Sequence, residues 1–70
     1  MTARQHTQLV REGQYVAEVS VELLEGDVSW APYLSLDDAY RLDDVRDALR
    51  RGDVAAAARL ARVYQLTPVP

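Results

Sequence analysis

The sequence predicts an α+β domain: a two- or three-stranded antiparallel sheet followed by two or three short helices, an αα-hairpin, packed on it. Three observations carry this expectation. Residues 15–24, "YVAEVSVELL", alternate strictly between apolar and polar, the period-2 pattern of a strand with one wet face. From residue 35 onward the signals turn helical, with Ser and Asp caps, acidic first turns and an Ala-rich run. Strands first and helices afterwards is the order of an α+β fold, not of alternating βαβ units.

In chain order, Gln8 to Arg11 read as a first strand that returns through a tight turn at Glu12-Gly13, with Gly supplying positive φ. This pairing puts Val10 opposite Tyr15. In the second strand Tyr15, Ala17, Val19, Val21 and Leu23 share the core face, and Glu18, Ser20 and Glu22 face water. "EGD", residues 25–27, is the next turn. "VSWAPYLS", residues 28–35, offers a third short strand. Pro32 cannot donate to a ladder, so this strand is expected at an edge or irregular there.

Ser35 with Asp38 makes a capping-box-like helix start, and Asp37 and Asp38 suit the positive end of the helix dipole. At about 100° per residue, Leu36, Ala39 and Tyr40 fall on one side while Leu42, Val45 and Leu49 fall nearly opposite. A single straight helix then has two apolar faces, so a break near Leu42 with Asp43 capping a second short helix is preferred over one kinked helix. Gly52 is a natural C′ glycine, with Arg50 and Arg51 in the last turn before it. Asp53 caps a final helix from Val54 to about Tyr64, whose core stripe is Ala57, Leu60, Ala61 and Tyr64; Thr67-Pro68 ends it. The chain is thus read as one small domain, 1–70, with a strand-rich part (7–34), a helical part (35–66) and a tail (67–70).

Composition narrows the function classes. A 70-residue chain buries only roughly 60% of its unfolded surface, and small domains offset this with staples or oligomerisation. Cysteine is absent and His6 is the one histidine, which removes disulfides and thiolate metal sites. A very regular fold, a second copy or another protein remains. No apolar run approaches the roughly 18 residues a bilayer span needs, and "MTARQHTQLVREGQ" lacks a signal-peptide core. The expectation is a soluble cytoplasmic protein without a membrane partner.

The net charge of −3 is unevenly spread. Residues 1–35 set two Arg against five acidic side chains, residues 36–49 set two Arg against five Asp, and residues 50–70 set four Arg against Asp53 alone. An acidic body with a basic end is a poor nucleic-acid binder overall and a reasonable partner for a basic protein.

No catalytic constellation is present. The only candidate base for a Ser or Thr nucleophile is His6, on a segment expected to fray. Gly13, Gly26 and Gly52 are isolated and form no phosphate loop. The pairs Asp37/Asp38 and Asp43/Asp44 diverge on a helix and do not converge on an ion; capping explains them. No enzyme, metal site or cofactor is expected. "AAARLARVYQLTP" is similar to the first helix and turn of a helix-turn-helix, but no reader helix follows it.

Two sets of side chains stand out as binding candidates. Trp30 and Tyr33, beside Pro32, are rigid amphipathic groups of the kind that interfaces use; with no Phe or Ile in the chain, Trp30 is also expected to fill part of the core. Arg59 and Arg62, three apart on the final helix, share a face suited to a carboxylate row or a phosphate. These four are the expected partner-binding residues. Arg50, Arg51, Arg59 and Arg62, doubled in a homo-oligomer, form the alternative, a nucleic-acid surface.

"GQYVAEVSVELL" (13–24), "SWAPYLSLDDAYRLDDVRDALRRGD" (29–53) and "LARVYQLTPV" (60–69) resemble a group of small uncharacterised bacterial proteins from type II toxin–antitoxin neighbourhoods, where the partner is a RelE-like toxin. The strand-rich start is also similar to the HicB antitoxin fold, without that family's glycine-rich strand–loop segment. The resemblance implies a non-enzymatic, antitoxin-like module that neutralises a small basic protein; it assigns no binding residues. The chain departs from usual antitoxins in lacking a recognisable DNA-binding module and a long disordered arm.

Overall fold

The computed structural model describes residues 2–25 and 33–70. Trp30 and Pro32 lie outside the described residues, as does most of the expected third strand. The elements are β1 (Thr2–Glu12), β2 (Tyr15–Glu25), β3 (Tyr33–Leu34), α1 (Leu36–Arg50), α2 (Val54–Leu60) and β4 (Arg62–Gln65). Every strand pairing is antiparallel: β1 and β3 both pair β2, and β4 also pairs β2. The α+β expectation holds, with strands followed by two helices. The chain then adds a fourth short strand where the sequence predicts the end of the last helix.

The hairpin is longer than expected. β1 begins at Thr2, so His6 sits in a paired strand, opposite Val21. The connecting loop is Gly13-Gln14, and Glu12 faces Tyr15. Val10 therefore faces Ala17 and not Tyr15. Gly13 has φ 60° while Gln14 has negative φ, the sign pattern of a type II′ turn, which matches strand twist. Placing the turn one residue later shifts the pairing by two and leaves every side chain on its face.

Alternation along β2 is realised as expected. Ala17, Val19 and Val21 are fully buried, and Tyr15 packs against them in part. Val10 joins from β1, Val45, Ala48 and Leu49 from α1, and Ala57 from α2. This core is small-residue and valine-rich, without one buried polar side chain among the described residues.

α1 is one helix of 15 residues, not two. The Ser35 hydroxyl accepts from the Asp38 amide at 3.2 Å. Asp43 caps nothing; it lies mid-helix and exposed. The two apolar faces are reconciled differently: Val45, Ala48 and Leu49 are buried, while Leu36 and Tyr40 on the other side remain exposed. At the C-terminal end, Gly52 with φ 76° donates to the Leu49 carbonyl and Asp53 to the Ala48 carbonyl, the bond pair of a Schellman motif. Asp53 then caps α2, its carboxylate accepting from Ala56 N–H at 3.1 Å.

α2 ends at Leu60, four residues earlier than expected, and Ala61 is already extended. Arg62 to Gln65 pair with Tyr15 to Glu18. Val63 and Ala61 turn to the core, and Leu60 and Tyr64, expected in the core stripe, are exposed. The reason is long-range. β2 has an open edge there, and pairing it satisfies backbone groups that another helical turn would leave unpaired.

That second edge of β2 is covered in two pieces, by β4 at residues 15–18 and by β3 at 23–24. Between them α1 supplies side chains in place of a strand. Arg41 Nη2 donates to the Ser20 carbonyl at 2.6 Å, and the Glu22 amide donates to Asp38 Oδ2 at 2.7 Å. Asp38 and Arg41 also pair with each other, through Oδ1 and Nη2. A second tie, Arg50 Nε to Glu12 Oε1 at 2.8 Å, links the end of α1 to the hairpin.

Substitutions at both ends of α1 test these bonds. Gly52→Ala forces a left-handed residue at the helix end, and a stability loss of about 1–2 kcal/mol is expected in urea unfolding. Asp38→Ala removes a charge-assisted acceptor from a strand amide and is expected to cost about 1–3 kcal/mol. Asp37→Ala, one residue away and exposed, is expected to change stability by less than about 0.5 kcal/mol; equal effects would refute the clasp that Asp38 and Arg41 form on the β2 edge.

Candidate protein-binding surface

The helix that the clasp fixes presents a stripe on its far side. Leu36, Tyr40, Asp43, Asp44 and Asp47 are spaced so that they fall within about 100° of one another around the helix axis. Val45, the most buried residue of α1, lies opposite them. All five are exposed, Leu36 at 66% and Tyr40 at 58%. The stripe is apolar at the N-terminal end and acidic toward the C-terminal end. Among the described residues Asp43 has an ion-pair neighbour, Arg46 at 4.0 Å on the surface, a contact worth little. The stripe continues into an open cleft of about 310 Å³ between α1 and α2, where Asp44 and Asp47 face Arg51 and Arg59.

The arginines singled out from the sequence do not form one patch. Arg50 is bound to Glu12 beside the hairpin; that hydrogen bond, and then the carboxylate charge, hold its guanidinium above the ordinary value. Arg51 lies 4.0 Å from Asp53 and shares the interhelical cleft with Arg59. Arg62 does not share a helical face with Arg59, because the helix has ended. It lies on β4 opposite Glu18, raised above its ordinary value by the hydrogen bond to Tyr64 and by the charges of Tyr64 and Glu18. Arg50, Arg51 and Arg62 each have an acidic side chain close by, and Arg59 lines the cleft together with Asp44 and Asp47.

Of the expected aromatic pair, Trp30 lies outside the described residues, and the backbone of Tyr33 pairs with Leu24 at the β2 edge. Among the described residues no group of three His, Cys, Asp or Glu side chains can hold a metal ion. No helix among them is long and apolar enough to cross a membrane. Sequence reasoning misses the Leu36–Asp47 stripe because it assigns the Asp pairs to helix starts. The signal is present in the two apolar faces of one helix.

No protein-family model matches the chain, and neither the curated proteins nor the solved structures include a significant match.

The stripe is not part of the core, so replacing both Leu36 and Tyr40 by Ser is expected to change unfolding stability by less than about 1 kcal/mol in total. A larger loss would mean that these side chains support folding and are not held out for a partner.

Proposed function

We propose that this protein is a non-enzymatic protein-binding module that neutralises a small basic partner, in the manner of an antitoxin. The observation that carries the reading is the exposed α1 stripe, an apolar pair leading into three aspartates on a helix anchored to the sheet behind it. An amphipathic helix face with i, i+4 apolar anchors is a recurrent docking element. The acidic end adds charge complementarity to a basic surface, which raises the encounter rate and selects the partner. The resemblance to proteins of toxin–antitoxin neighbourhoods supplies the class of partner, a RelE-like toxin that is basic because it acts on RNA.

The test is co-expression with the product of the adjacent gene, followed by size-exclusion chromatography with light scattering. A stable heterocomplex is expected. It should weaken with salt and be lost in the Leu36→Ser, Tyr40→Ser double variant. A neighbour without toxicity, or two proteins that elute apart, would overturn the proposal.

A further inference from the structure

β1 is the outermost strand of the sheet, and no described segment pairs with its outer edge. The other exposed strands, β3 and β4, have two and four residues. β1 has eleven, pairs with β2 without a bulge and contains no proline. Short strands, prolines, bulges and edge charges are the devices that keep sheet edges from pairing with other chains. β1 lacks the first three; it carries charges of both signs, Arg4, Arg11 and Glu12, and its residues from Arg4 to Leu9 are all exposed.

The backbone groups available there follow from the hairpin. A two-residue loop makes Glu12 and Tyr15 a hydrogen-bonded pair, and such pairs then recur at every second residue. Even-numbered residues of β1 therefore bond β2, and Ala3, Gln5, Thr7, Leu9 and Arg11 point their N–H and C=O groups outward. The same parity directs Gln14 of the loop, and Ser20 and Glu22 of β2, away from β1. There, the Leu66 amide reaches the Gln14 carbonyl, and Arg41 and Asp38 reach the other two.

We propose that β1 pairs antiparallel with β1 of a second copy, joining two sheets into one across a two-fold axis at Gln8. Parity admits only registers in which outward residues face outward residues. The register centred on Gln8 places Arg4 opposite Glu12 of the other copy, Gln5 opposite Arg11, and Thr7 opposite Leu9. Arg4 thus meets a carboxylate that also holds Arg50 of its own chain, and no like charges face each other. Leu9, 59% exposed, comes diagonal to Leu9 of the second copy, within reach of a long side chain, and is covered. The neighbouring register, centred on Thr7, sets Arg4 against Val10 and separates the two leucines. The inference does not rest on the proposed partner-binding function, because the α1 stripe is not used.

The test is sedimentation equilibrium of the full chain from micromolar to near-millimolar concentration, with three variants. Dimer formation is expected. Thr7→Pro removes an outward N–H without touching a bond to β2, so the monomer should stay folded by circular dichroism while the dissociation constant rises about tenfold or more. The chain has no cysteine, so one introduced thiol can only cross-link two copies. Gln8→Cys, facing itself in a non-hydrogen-bonded pair about 4.5 Å apart at Cα, should form a disulfide dimer under diamide. Thr7→Cys, diagonal to its mate and beyond disulfide reach, should not. The proposal is overturned by a monomer at every concentration, by a dimer indifferent to a folded Thr7→Pro, or by cross-linking of the Thr7→Cys variant in place of the Gln8→Cys variant. If Thr7→Pro does not fold, the two cysteine variants decide alone.

Discussion

One helical turn of α1 stands in for a missing stretch of strand. β2 is the strand that everything else touches, and its second edge is longer than β3 and β4 together can cover. The Ser20 carbonyl and Glu22 amide fall in the gap, and unpaired backbone groups beside a core are costly. Asp38 and Arg41 satisfy them and each other. Because hydrogen bonds to charged groups are directional and comparatively strong, they fix where α1 lies along the sheet. The core beside them is built of small side chains: apart from Leu49 its buried members are valines and alanines. The arrangement has a cost, since Arg41 Nε is buried without a partner.

Local chemistry makes much of this legible. The hairpin faces follow from alternation, and both helix starts and the Gly52 stop follow from capping rules. The main failures lie in the helical half. "AARLARVYQ", residues 57–65, carries apolar residues at helical spacing (Ala57, Leu60, Ala61, Tyr64) and at strand spacing (Ala61, Val63). Only the vacancy on β2, far away in sequence, decides between them. Grouping Arg59 with Arg62 depends on the same mistaken helix. Similarly, splitting α1 assumes that both of its apolar faces need burial. The structure keeps one helix and leaves Leu36 and Tyr40 in water. It is this second, exposed face that the proposed partner docking uses.

The two proposed contacts use different elements. Partner docking uses the outward side of α1, and self-pairing uses the edge of β1. Strands joined within one sheet by a perpendicular two-fold keep their helices on the same side. A pair of copies would therefore present two α1 stripes together, and a partner with two sites would gain avidity from the second contact.

β4 gives the sheet a corner of its own character. It is held by four residue pairs and the 2.6 Å bond from the Leu66 amide to the Gln14 carbonyl. Its Arg62, Tyr64 and Gln65 side chains are exposed. Opening β4 alone would leave the hairpin, the clasp and α1 in place, so it belongs to the low end of the local-unfolding scale. Successive amide protons along β2 then sit under different guards. Those of Ala17 and Val19 are locked into the hairpin, while those of Val16 and Glu18 are protected only while β4 is shut. Adjacent residues of one strand would exchange with solvent on separate timescales.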